Sequence, residues 1–138
     1  MKRFDFLQSI VGLFSFKTIA DDCGNEYVFF SDNTLTKSDM PNISDRTEFE
    51  ALENHVHLLE KVTKKEFENA DEVSNLLGKS LLNCLRQTYS DKHFFVYVSV
   101  DLKDSMIVRF HQEWKNEEPY YNSDDGFGKN TKLFIFHE

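Results

Sequence analysis

The chain is poor in residues that cross-link, break or loosen a fold, with two cysteines, two prolines and five glycines among 138 residues. Two cysteines cannot build the dense disulfide framework of a small secreted domain. Cys84 falls among the apolar positions of a predicted helix, and Cys23 falls in a polar turn. We therefore expect two free thiols in a reducing cytosol, and a disulfide between them is the less favoured alternative.

Long apolar runs are also missing, since no stretch approaches the ~18 residues that a membrane-spanning helix requires. The amino-terminal stretch has a basic start and the small-residue pattern Thr18–Ala20, as a secretory signal peptide would. However, Asp5 and Gln8 interrupt its apolar segment, and residues 14–19 are better explained as a strand. The sequence therefore predicts a cytoplasmic protein that makes no membrane contact.

Positive charge is in deficit, because 16 Lys and Arg face 24 Asp and Glu, which gives a net charge of −8. Proteins that bind nucleic acid need clustered positive charge, and an acidic surface instead selects for basic partners. Fourteen phenylalanines supply a core that disordered acidic chains do not have. These counts predict one folded domain over residues 1–138, whose partner is a basic protein rather than a nucleic acid.

Apolar periodicity and turn residues predict the elements of the first half of the chain. The helical spacing of Phe4, Leu7 and Val11 predicts a short helix over residues 3–12. Two aromatic and β-branched runs around a five-residue loop of Asp, Gly and Asn predict a hairpin. The segments that follow the helix are strands over 13–19 and 26–30, a loop over 31–46, an ambiguous stretch over 47–54 and a strand over 55–62.

The best-defined element is a helix over residues 71–89, because its apolar positions follow the i, i+3, i+4, i+7 pattern without a break. Asn69 and Glu72 have the spacing of a capping box at its start. The one-sided stripe predicts that this helix covers a sheet. The stripe consists of Val73, Leu76, Leu77, Ser80, Leu81, Cys84, Leu85 and Thr88.

Two strong strands and a final one follow, over 94–100, 106–110 and 133–137. A short turn at 102–104 makes the first two antiparallel. The residues predicted to share one face are Phe94, Val96, Val98 and Val100 on the first strand, and Met106, Val108, Phe110 and Trp114 on the second. The predicted fold class is α+β: a mostly antiparallel sheet of about five to six strands, with one long helix packed on one face and a short N-terminal helix.

A polar set on the outer face of this sheet is one candidate site. His55 and His57 are two residues apart on a strand, so their rings point the same way. Arg109, His111 and Glu113 share a face on another strand. If the strands are neighbours, the three imidazoles and the carboxylate could bind zinc or another divalent metal. A solvated sheet face is the favoured interpretation, and the metal site is the alternative.

Catalytic motifs are otherwise absent. Cys84 lies on a buried stripe, and Cys23 is flanked by Asp21 and Asp22, which make a thiol less reactive. Residues 126–129 (Gly-Phe-Gly-Lys) lack the rest of any phosphate-binding pattern. We expect no enzymatic activity and no cofactor.

The loop after the 106–110 strand is the candidate partner-binding site, because it mixes aromatic and acidic side chains. Tyr and Trp anchor many protein interfaces, and acidic neighbours steer a basic partner. The alternative is a solvated loop whose tyrosine rings lie back on the sheet. The candidate residues are Trp114, Glu117, Glu118, Tyr120, Tyr121, Asp124 and Asp125, and a second acidic region contains Asp32, Asp39, Asp45, Glu48 and Glu50.

The recognisable segments of the chain are His55–Leu58 and Phe110–Trp114. Through these segments, and in its size, acidity and α+β plan, the chain resembles the small acidic immunity proteins of bacterial toxin–immunity pairs, such as those of contact-dependent growth inhibition. The resemblance implies a non-enzyme that binds a cognate toxin and blocks its active site. Two alternatives stay open. One is a small metal-binding protein or metal-dependent hydrolase that uses the histidine set, and the other is an acidic DNA mimic that inhibits a nucleic-acid enzyme.

Overall fold

The structure, a computed structural model, describes residues 2–122 and 127–138. The described residues form four α-helices, a short 3-10 helix and six strands. In chain order they are α1 (Lys2–Gly12), β1 (Phe16–Ala20), β2 (Glu26–Phe30), the 3-10 helix (Lys37–Asp39), α2 (Arg46–Glu53), β3 (His55–Leu59), α3 (Lys64–Glu68), α4 (Ala70–Thr88), β4 (Phe94–Asp101), β5 (Met106–Gln112) and β6 (Thr131–His137).

The predicted α+β class is confirmed, and the six described strands divide between two antiparallel sheets. Strands β1 and β2 form the predicted hairpin as a two-stranded sheet. The other sheet has the order β3-β5-β4-β6, with every neighbouring pair antiparallel. Helix α2, which forms most of the stretch whose structure the sequence left ambiguous, lies where the two sheets meet.

The long helix α4 covers β4 and β6, as its one-sided stripe predicts. The stripe itself is only partly correct, because Val73 and Leu76 are 45% and 66% exposed. Small residues at Ser74 and Gly78 bring the helix close to the sheet instead. The buried residues of the helix are Ala70, Ser74, Gly78, Leu81, Leu82 and Leu85.

The predicted capping box at the start of α4 is wrong. The Asn69 side chain makes no cap hydrogen bond and donates to the Lys65 carbonyl at 2.9 Å. The box forms one short helix earlier, where the Thr63 hydroxyl accepts from the Glu66 N–H and the Glu66 carboxylate accepts from the Thr63 N–H. Helix α3 ends at Glu68, and Asn69 is both the residue after α3 and the residue before α4, so its side chain bonds back to α3 rather than forward to α4.

The core lies between α4 and the inner face of the four-stranded sheet. The predicted face of β4 is buried, and so are the β5 residues Met106, Val108 and Phe110. Trp114 does not share that face, because β5 ends at Gln112 and the indole packs outside the core cluster. Both cysteines are free, so the disulfide alternative is wrong. Among the described residues, no helix has the length and apolar content needed to cross a bilayer.

Candidate functional site

The predicted partner-binding loop leaves β5 and crosses the N-terminal end of α2. The Trp114 indole is half-buried and packs on the Tyr27 ring, with 5.1 Å between ring centroids. The Arg46 guanidinium lies over the indole, 5.0 Å from its centroid. Trp114 is therefore tied to the hairpin and α2, and only part of it is available to a partner.

Glu117 is also tied to the fold. Its carboxylate accepts hydrogen bonds from Arg46 Nε and from the Thr47 backbone N–H, both at 2.7 Å. Partial burial raises the pKa of Glu117, but the hydrogen bonds from Arg46 and Thr47 outweigh it and lower the pKa overall. This ion pair joins the loop to the first turn of α2. Glu117 therefore holds the loop in position, and it contributes less to the negative charge of the surface.

The two tyrosines lie back on the sheet. Arg109 of β5 lies beneath both rings, at 4.9 Å from the Tyr120 centroid and 6.0 Å from the Tyr121 centroid. Tyr121 also packs edge-on against Tyr97 of β4, at 5.3 Å. Both tyrosines are half-buried. Their contacts match the alternative interpretation of this loop, in which the rings cover the sheet.

Beneath the tyrosines, His111 is held as a neutral imidazole. Its Nδ1 faces the Gln112 carbonyl at 2.6 Å and therefore carries the proton. Its Nε2 then accepts from the Tyr120 N–H at 3.2 Å and faces the Tyr97 hydroxyl at 2.9 Å. Burial lowers the pKa of His111 to about 4. With both nitrogens used inside the protein, His111 has no lone pair for a metal.

The predicted histidine set is not assembled, although β3 and β5 are neighbours as it required. His55 lies opposite Arg109, His57 lies opposite Ile107, and the two rings are 5.5 Å apart on an exposed face. Glu113 faces His137 instead, at 3.6 Å. Within residues 2–122 and 127–138, no three His, Cys, Asp or Glu side chains form a group that could hold a metal ion. His55, His57, His111 and Glu113 therefore do not converge as the metal alternative required.

A buried carboxylate, which the sequence placed among surface acids, organises the junction of the two sheets. Glu50 of α2 is fully buried and accepts four hydrogen bonds. One oxygen accepts from the Val28 N–H at 3.0 Å and the Gln112 side-chain amide at 2.7 Å. The other accepts from the Gln112 N–H and from the Trp114 indole N–H, the latter at 3.1 Å. Burial raises the pKa of Glu50 to about 7, and these donors oppose the rise.

Asn54 follows Glu50 by one helical turn and continues the same junction. Its amide accepts from the Phe30 N–H at 3.2 Å and donates to the Val28 carbonyl at 2.8 Å. Its own carbonyl accepts from the Phe110 N–H. The side chains of Glu50 in α2 and of Asn54 at its C-cap thus satisfy backbone groups of β2 that a further strand would otherwise pair. This explains why the predicted single sheet is two sheets.

An acidic groove lies beside the junction of the two sheets and is open to solvent. We define it by Asp45, Glu48, Glu118, Pro119 and Tyr120. It has a volume of about 530 Å³ and lies between the first turn of α2 and the loop after β5. Asp45, Glu48 and Glu118 are exposed. Asp45 is also the N-cap of α2, accepting from the Glu48 N–H at 2.9 Å, which fixes one carboxylate in place. The groove therefore presents negative charge on a rigid frame.

The predicted contact residues thus divide into three groups. Glu117, Glu118 and Tyr120 line the groove, although Glu117 and Tyr120 are also held by contacts within the fold. Trp114 and Tyr121 make contacts within the fold, and Asp124 and Asp125 lie outside the described residues. Asp45 and Glu48 come from the second acidic region that the sequence indicated. No family model, no curated protein and no solved structure matches this chain.

Proposed function

We propose that this protein is a non-enzymatic binding protein, an immunity protein that neutralises a cognate basic toxin, such as a nuclease, by direct contact in the cytoplasm. The observation that carries the proposal is the acidic groove, a concave surface with three exposed carboxylates on a chain whose net charge is −8. A toxic nuclease needs a positive surface to hold nucleic acid, and an acidic inhibitor can compete for that surface.

The frame of the groove suits this task, because binding is stronger when the contact groups need no ordering on association. The Arg46–Glu117 ion pair and the Thr47 N–H hold the loop on α2. Glu118 follows directly in the chain and is exposed beside this clamp. Lys or Arg side chains of a partner can therefore reach Glu118, Glu48 and Asp45 without rearranging the loop.

The test is co-expression with the neighbouring open reading frame of the source genome. The C-terminal part of that neighbouring product is expressed alone, and then together with this chain. We expect growth arrest in the first case, rescue in the second and co-purification of the two proteins. The groove variant Glu48→Lys/Glu118→Lys should rescue less well than the control variant Asp22→Lys/Asp91→Lys, which makes the same charge change at exposed positions elsewhere.

Toxicity that this chain fails to relieve, or a neighbouring product that is neither toxic nor bound, would contradict the proposal. Equal rescue by the two double variants would mean that the acidic groove is not the surface that binds the toxin.

A further inference from the structure

Helix α1 carries an apolar edge that the rest of the fold leaves uncovered. Phe4, Leu7 and Val11 are 58%, 51% and 73% exposed, and Phe14 just beyond the helix is 38% exposed. Their spacing of three and four residues puts them on one side of the helix. Single exposed apolar residues are ordinary, but an aligned series of them is typical of a contact surface.

The other edge of α1 shows which way this series faces. Asp5, Ser9 and Gly12 line shallow grooves beside β3 residues, including Val56 and His57. Phe6 and Ile10 lie between this polar edge and the apolar edge around the helix, so the apolar edge flanks them on the side away from β3. Helix α1 lies over β3 and α4 lies over β4 and β6, so the space between the helices runs above β5.

Helix α4 contributes a matching edge. Val73 and Leu76, the residues of the predicted stripe that the sheet leaves uncovered, are exposed on this helix. Further along, the Cys84 thiol lies 3.8 Å from the Phe14 carbonyl and marks the far end of the shared space. From Val73 to Cys84 the helix rises about 16 Å, or three turns.

Between the two edges the surface dips into an apolar cavity of about 320 Å³. Phe6 and Ile10 of α1 form one wall, and Val73 and Leu77 of α4 form the other. Met106 of β5 contributes to the floor. Two helical walls over an apolar floor form a groove of the kind that receives the apolar face of another helix.

We propose that this surface, the α1–α4 groove, binds an amphipathic helix of about three turns, with an apolar face and basic flanks, supplied by a partner protein. The basic flanks follow from the net charge of −8, which attracts a cationic partner and repels a second copy of this chain. The identification of that partner with the neutralised toxin rests on the proposed function. The apolar groove then supplies contact area, and the acidic groove supplies steering.

The test uses three fluorescent synthetic peptides of about 15 residues, long enough to form a helix. One has leucine on a single helical face and lysine elsewhere. A second replaces lysine with glutamate, and a third has the leucine and lysine composition in an order that spreads leucine around the helix. Binding to the purified full chain is followed by anisotropy, and sedimentation equilibrium without peptide reports self-association.

We expect the leucine–lysine helix to bind more than about tenfold more tightly than either other peptide. The variant Val73→Ser, at an exposed residue that lines the cavity, should weaken this binding by about tenfold. Leu52→Ser, which removes an exposed leucine of α2, is the matched control and should leave binding unchanged. Thermal unfolding of all three proteins should be alike, since each change is at the surface.

Equal binding of the three peptides, or equal losses in the groove variant and the control, would overturn the proposal. So would a dimer that Val73→Ser dissociates, because a second copy would then be the occupant. If the chain binds the leucine–lysine helix but does not rescue cells from the neighbouring product, then the α1–α4 groove binds a helix and the proposed immunity function is wrong.

Discussion

At the scale of single residues, Glu50 and His111 are buried titratable groups whose pKa values move in opposite directions. The pKa of Glu50 rises from 4.5 to about 7, so between those pH values the folded state binds more protons than the unfolded state. Its contribution to stability therefore falls as pH rises. The pKa of His111 falls from 6.5 to about 4, so its contribution rises with pH over nearly the same range. The two effects largely cancel in the native protein.

Glu50→Gln should reveal how His111 alone makes the free energy of unfolding depend on pH. Without the carboxylate, the free energy of unfolding should rise between about pH 4 and 6.5, by up to about 3 kcal/mol. At neutral pH the variant should be less stable by about 1–3 kcal/mol, because the glutamine NH2 faces donors that need an acceptor. Urea unfolding at a series of pH values measures both effects.

His111→Gln is the control for this measurement, because it removes the titrating imidazole and leaves Glu50 in place. Its stability should fall as pH rises from about 4.5 to 7. If Glu50→Gln keeps the pH profile of the native protein, Glu50 does not titrate in this range and the cancellation is wrong.

Sequence reasoning could not find Glu50, because its donors come from distant parts of the chain. Val28 is 22 residues away and Trp114 is 64 residues away. Locally, Glu50 is one of several carboxylates in an acidic stretch and looks like a surface residue. The histidine set failed for a related reason. Strand pairing met the condition that β3 lies beside β5, but the loop that folds back over His111 has no local signature.

At the scale of elements, segments with an apolar pattern of their own were predictable, including the short helix α1, whereas α2 was not. The nineteen-residue helix α4 lies within one residue of its predicted ends, because its apolar pattern repeats over five turns. Helix α2 has eight residues, and its buried face includes Thr47 and Glu50, which no hydrophobic pattern would select. Its position depends on contacts with both sheets rather than on its own sequence.

The approach of α4 to the sheet gives a stability prediction at Gly78. A Cβ built there would lie 2.0 Å from the Phe136 ring of β6, so any side chain must displace that ring. Alanine favours a helix over glycine by about 1 kcal/mol, but overpacking costs about 1–3 kcal/mol. We expect Gly78→Ala to lower the free energy of unfolding by about 1 kcal/mol or more, measured by urea denaturation.

Gly12→Ala is the matched control, because its added Cβ would meet only the Asp32 carboxylate at an ordinary 3.7 Å. This change in α1 should be neutral or slightly stabilising. A Gly78→Ala protein as stable as the native one would mean that α4 does not depend on close approach at this position.

At the scale of the whole molecule, the net charge was predictable, whereas its distribution was not. Composition alone indicates an acidic surface. Folding makes some of that negative charge unavailable to a partner, since Glu50 is buried and Glu117 is paired with Arg46. The exposed acids Asp45, Glu48 and Glu118 converge only because Glu117 fastens the loop to α2.

In the proposed complex, the two surfaces of the molecule would have different physical roles. Charge in the acidic groove acts over a Debye length of about 10 Å and changes the association rate, and this effect weakens in salt. The α1–α4 groove acts at contact, and apolar contacts change the dissociation rate with little dependence on salt.

The measurement that tests the central claim most directly is the association rate constant with the product of the neighbouring open reading frame, determined over a series of salt concentrations. For Glu48→Lys/Glu118→Lys we predict a rate about tenfold below that of the native protein at low salt, with the difference shrinking as salt rises. Asp22→Lys/Asp91→Lys, with the same change in net charge, should lose much less. Equal losses in the two variants, or a rate that does not depend on salt, would contradict the claim that the acidic groove receives a basic partner.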